Sequence, residues 1–212
     1  MFDLGSKRIR PGEERLNALS HLLGSVLAVV GLFVLLNQQE HTKPYSTFAF
    51  VIYGVSLIAM FSVSAMYHWV ADPRLKRLLR IADHINIYFL IAGTYTPVAL
   101  IALGGENGWR LFYQIWAIAA FGTLFKLFYT GRFEYISLLL YIGMGWLIVF
   151  DYRQLAEAST TLGIVLLMGG GAFYTLGIIF YAWERIPYHH FIWHLFVLAG
   201  AICHWFFVYL GF

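Results

Sequence analysis

A chain of 212 residues that is 60% hydrophobic, only 12% charged and of mean hydropathy +0.71 has too little polar surface to coat a water-soluble globule; soluble domains carry about 25% charge. The length leaves room for about seven spans of roughly 20 residues with short loops, one transmembrane domain over 1–212, and no second folded unit. The net charge of +3 comes from basic residues set between apolar runs. They read as orientation signals beside anionic lipid, which argues against a nucleic-acid surface. The lone cysteine, Cys203, excludes a disulfide framework.

Residues 1–15 hold Lys7, Arg8, Arg10, Glu13, Glu14 and Arg15, a short polar amphipathic lead-in without the apolar core of a cleavable signal peptide. Hydropathy then predicts seven spans, at about 16–37, 45–69, 81–103, 109–129, 134–151, 159–182 and 189–210. Asn37 to Pro44 reads as a turn and holds His41. Ala71 to Arg80 reads as a basic loop opened by Asp72-Pro73, and Gly104-Gly105 with Asn107-Gly108 as a tight connection. Gly131 and Arg132 break the next pair, Asp151 to Ser159 is polar, and Glu184, Arg185 and Pro187 separate the last two spans. Pro97, inside the third span after Thr94-Tyr95-Thr96, should kink the helix, with a threonine hydroxyl or a neighbour taking up the freed carbonyl. Gly169 to Gly171 should be a smooth strip where another helix approaches. Trp69, Trp109, Trp183, Trp205 and Tyr209 fall near span ends, as interfacial anchors do.

Lysine and arginine set the orientation. With the N-terminus in the cytoplasm, only Lys43, Arg110 and Arg153 lie outside, and the remaining eleven of the 14 basic residues, Lys126 among them, lie inside. The expected fold is therefore an all-α, seven-transmembrane-helix bundle, N-terminus cytoplasmic and C-terminus outside.

Ionisable groups within a bilayer default to functional hypotheses. His190 and His194 are four apart, one turn along one face of the last span, a common way to offer two imidazoles to one metal. His68 closes the second span, with Ser64 one turn before it, and Asp83 opens the third in Asp83-His84-Ile85-Asn86. Ser64 either orients a ligand or bonds the carbonyl four residues back. The topology brings His68, Asp83, His190 and His194 to one depth near the inner leaflet, joined by Glu14, Asn17 and His21 of the first span. His204 lies about 15 Å beyond His194 at 1.5 Å rise per residue and reads as a core histidine. His84, His189 and Asn86 are secondary candidates. Three imidazoles and a water are typical of catalytic zinc, which lowers the pKa of that water toward 7. Asp83 serves as general base or orients a ligand histidine.

These residues also carry a resemblance. Glu14, Asn17, Ser20 and His21, then Ser64-Ala65-Met66-Tyr67-His68, Asp83-His84-Ile85-Asn86 and His190-Phe191-Ile192-Trp193-His194 occur in that order on spans one, two, three and seven. The set resembles the progestin and adiponectin receptor family, in its bacterial branch of hemolysin III-type or membrane-homeostasis proteins. Supporting stretches are Leu90 to Pro97, Leu124-Phe125-Lys126 and Ile186-Pro187-Tyr188. The resemblance implies seven helices, a cytoplasmic N-terminus and a place in a bacterial cytoplasmic (inner) membrane. It implies Zn2+ held by His68, His190 and His194, with Asp83 and Ser64 at the family's aspartate and serine positions. It also implies hydrolysis of lipid amides, with membrane lipids as substrate or ligand. The short N-terminal segment departs from the hormone receptors. Three readings follow: a zinc-dependent hydrolase of a lipid amide or ester, a non-enzymatic sensor of membrane state with a structural zinc, and, ranked last, a pore.

Overall fold

The computed structural model describes residues 11–38 and 43–212. Lys7, Arg8, Arg10 and His41 lie outside the described residues. The helices are α1 (Pro11–Leu36), α2 (Ser46–Trp69), α3 (Pro73–Pro97) running into a π-helical turn (Val98–Leu103), α4 (Gly105–Tyr129), α5 (Glu134–Gly145) continued by a 3-10 stretch (Leu147–Asp151) into α6 (Tyr152–Ala158), α7 (Thr161–Ala182) and α8 (His189–Leu210). Among the described residues, seven helical stretches are long and apolar enough to cross a membrane, the fifth formed by α5 and α6 together. The protein is an all-α membrane-spanning bundle. Large apolar side chains cover its outside, with Phe150 86% and Phe128 77% exposed. An apolar surface of that extent is stable against lipid, not water.

α3 is the central helix. Every residue from Ala92 to Ile101 is buried, and α3 packs on α2, α4 and α5. α1 lies against α2 and α8, whereas α7 leans chiefly on α8. Pro97 supplies no N–H to the carbonyl four residues back. That carbonyl belongs to Gly93, and the two threonines do not take it up as expected: the Thr94 and Thr96 hydroxyls donate to the carbonyls of Leu90 and Ala92, at 2.8 and 2.9 Å. The helix widens into the π turn directly after the proline, and Gly104 and Gly105 reverse the chain at positive φ, 61° and 51°.

Three expected boundaries move. The basic segment before Arg80 is helical: Asp72 caps α3 by accepting from the N–H groups of Arg74 and Leu75 at 3.1 and 2.8 Å, and Pro73 occupies the first turn. Asn107 and Gly108 belong to the first turn of α4. The polar stretch after Asp151 is mostly helical, as α6. Capping and tertiary support outweigh polarity at all three places. The glycine strip is also reset. Gly163, Gly170 and Gly177, seven apart, are the buried glycines of α7. A Cβ at Gly170 would strike the His204 ring, and one at Gly177 the Trp193 and Phe196 side chains. Gly169 faces open space.

Candidate metal centre

α2 ends on the site and α8 begins on it. His68 is 4% exposed in the last turn of α2, and His190 and His194 occupy the first two turns of α8. The ring centroids form a near-equilateral triangle: 5.1 Å for His68–His190, 4.8 Å for His68–His194 and 4.9 Å for His190–His194. One nitrogen from each ring lies within 4.8 Å of the other two. In a tetrahedral site, nitrogens about 2.1 Å from the ion lie about 3.4 Å apart, so closing on one ion draws each ring inward by about 1 Å. His68 Nε2 and His194 Nδ1 are buried and have no protein hydrogen-bond partner. Orphaned buried nitrogens are costly; as ligand lone pairs they are used. The donor set thus fits a metal ion, and an all-nitrogen set suits a borderline ion better than calcium or magnesium.

Side chains from α1 and α3 hold these rings. Glu14 Oε2 accepts from His68 Nδ1 at 2.6 Å, and its Oε1 accepts from Lys76 Nζ at 3.0 Å. With its proton on Nδ1, His68 presents Nε2 as the ligand lone pair. Glu13 Oε1 accepts the backbone N–H of His190 at 3.1 Å. That N–H would otherwise go unmet, because Tyr188 at the start of α8 provides no side-chain cap. Ser64, 2% exposed and one turn before His68, hydrogen-bonds the Asp83 carboxylate, which lies in the electrostatic reach of His68 and Arg80. Ser64 therefore faces Asp83. The His21 ring stacks on His194, with centroids 3.7 Å apart and planes 18° from parallel, and the Asn17 carbonyl faces the His194 ring.

The secondary candidates divide. Glu14, Asn17 and His21 join the site. Asn86 does not: its amide donates to the Ala82 carbonyl of its own helix at 2.8 Å. His189 Nδ1 lies 3.0 Å from the Phe180 carbonyl oxygen, and His204 Nε2 lies 3.1 Å from that of Leu167. His84 turns to the other side of α3, its Nδ1 3.7 Å from Glu134 Oε2. Glu134 also pairs with Lys126, which is fully buried, and accepts the Gly131 N–H at 2.8 Å. Sequence reasoning missed this ion cluster and treated Lys126 as an inner-side charge. The available signal was a pair of opposite charges flanking a short turn. It also missed Glu13 and Lys76 as parts of the site.

Residues 10–205 match the model of the family described as "Haemolysin-III related". "Hemolysin-3" of Bacillus cereus is 43% identical over 190 residues, covering 89% of this chain and 87% of that protein. "Hemolysin-3 homolog" of Bacillus subtilis (strain 168) is 38% identical over 190 residues, covering 89% of each. The human "Monocyte to macrophage differentiation factor" is 29% identical over 200 residues, covering 92% of this chain and 82% of that protein. The bacterial relatives and the bundle support a bacterial membrane as its location. The chain belongs to the haemolysin III-related family, within the progestin and adiponectin receptor group.

Proposed function

We propose that His68, His190 and His194 hold a zinc ion and that the protein is a membrane-embedded hydrolase of a lipid amide or ester, acting in membrane lipid homeostasis. The single observation that carries this is the convergence of three imidazoles, two of them buried with orphaned ring nitrogens, beside the Ser64–Asp83 pair. A bound zinc would supply Lewis acidity, which polarises a carbonyl and activates water. The chain does the rest. Asp83 takes the proton released by the attacking water and delivers it to the leaving group. Ser64 holds the Asp83 carboxylate in orientation, and Glu14 fixes the tautomer of His68. The eleven-to-three bias of basic residues supports a cytoplasmic N-terminus. By that orientation the metal end faces the inner leaflet of the cytoplasmic membrane, the C-terminus lies outside, and 1–212 acts as one transmembrane unit.

The test is fatty-acid release from acyl amides and esters by the purified, zinc-loaded chain in lipid nanodiscs. Turnover that falls more than about 100-fold in both His68→Ala and Asp83→Asn is the expected result. A stoichiometric zinc protein that turns over neither class would contradict the reading.

A second reading has its own support: Glu13, Glu14, His68, Lys76 and His190 tie α1, α2, α3 and α8 together at this one end. In that reading zinc is a structural clip in a sensor of membrane state. A clip completes four protein ligands, and chelation then melts the bundle; an enzyme keeps an open position and chelation only silences it.

A further inference from the structure

The inward face of α1 carries six polar side chains at the level of the site and just above it. Four have partners. Glu13 accepts from the His190 N–H, Glu14 from His68 and Lys76, Ser20 donates to the Asn17 carbonyl at 2.9 Å, and Ser25 pairs with Ser62 at 2.6 Å. Asn17 and His21 are the exceptions. Asn17 is fully buried and His21 is 3% exposed, yet both polar side-chain atoms of Asn17 lack a hydrogen-bond partner, and the His21 ring nitrogens make no bond of good geometry, meeting only the His194 backbone.

Their position makes this informative. They are four residues apart, one turn along the same face. His21 lies flat on His194, and Phe61 closes its edge at 5.1 Å. Because His21 stacks parallel to His194, its ring nitrogens do not share the convergence point of the three imidazoles. They stand beside it. A buried carboxamide with nothing to bond, beside an imidazole poorly satisfied by backbone, is costly unless a polar group arrives. Asn17 Nδ2 offers two N–H donors and His21 one, which suits an oxygen with two lone pairs. In a bundle solvated by lipid, such an oxygen comes on an acyl chain.

We propose that Asn17 and His21 form a polar subsite beside the three imidazoles that receives the carbonyl oxygen of an acyl ligand. The subsite rests on the metal reading above and adds the groups that orient what enters. Asn17 and His21 are binding residues, separate from the residues that hold the metal.

The test uses the full chain in detergent micelles, loaded with cobalt(II) as a visible probe of the metal position and titrated with N-hydroxydodecanamide, an acyl-chain hydroxamate. The unsubstituted chain should show a saturable change in the cobalt absorption. Asn17→Leu removes the donors at constant volume; His21→Phe keeps the ring stack and removes the nitrogens. Each should weaken hydroxamate binding about five- to twentyfold while cobalt affinity stays within about twofold. Unchanged hydroxamate affinity in both variants would overturn the subsite and leave the metal centre standing. Loss of cobalt affinity in both would also overturn it, because the two residues would then be scaffold for the metal ligands. Failure of the unsubstituted chain to bind cobalt would remove the metal reading and the subsite together.

Discussion

Glu14 Oε2 lies 2.6 Å from His68 Nδ1, so a carboxylate from the first turn of α1 fixes the ring that closes α2. The same carboxylate reaches Lys76 in α3. Glu14→Gln keeps the shape and removes the charge. It should lower metal affinity about 10- to 100-fold, measured by competition with a chromogenic chelator. An unchanged affinity would show that His68 is oriented by packing alone.

Lys126 and Glu134 form a buried ion pair with His84 alongside. Removing one partner strands the other charge. Lys126→Ala should therefore destabilise the protein by about 3–5 kcal/mol, whereas Lys126→Met with Glu134→Gln should recover much of that loss. Thermal unfolding in detergent checks the comparison. Equal midpoints for the single and double variants would remove the pair as a linkage between α4 and α5.

Neighbouring glycines in α7 should respond in opposite ways. Gly170→Ala drives a methyl into the His204 ring, and Gly169→Ala meets open space. The first should lower the melting temperature by several degrees, corresponding to about 1–3 kcal/mol. The second should leave it unchanged or raise it slightly. A differential melt of the two variants decides.

Orientation has its own test. A reporter that fluoresces only in the cytoplasm should be dark at the C-terminus and bright at the N-terminus, as the distribution of basic residues requires. The reverse pattern would turn the metal end to the outer leaflet.

Much of this was legible because the span count and the placement of the histidines agree. Hydropathy predicts seven spans, and an odd number of crossings between α1 and the C-terminus brings His68 at the end of α2 to the same side as His190 and His194 at the start of α8. The structure unites those three rings, so the span count and the site support each other. Glu14, Asn17 and His21 were legible because the first span begins at the same end of the bundle. Glu13 was not, because it acts on a backbone N–H, which leaves no trace in residue type. Lys126 was not, because a lysine near a span end reads as an interfacial charge unless its partner across the turn is known. The helical start at Pro73 was obscured by four basic residues between Arg74 and Arg80, whose charge hid an Asp-Pro capping signal. The π turn after Pro97 depends on how the surrounding helices hold α3, and helical periodicity alone carries no sign of it.

The central claim is that three imidazoles from two helices hold one metal ion. The direct measurement is the metal content of the purified chain and of His68→Ala, His190→Ala and His194→Ala, with X-ray absorption of the unsubstituted protein. The account requires about one zinc per chain, nitrogen and oxygen neighbours at about 2.0–2.1 Å and no sulfur, and near-complete loss of metal in each variant. Metal that persists in all three variants, or a sulfur neighbour in the spectrum, would contradict it.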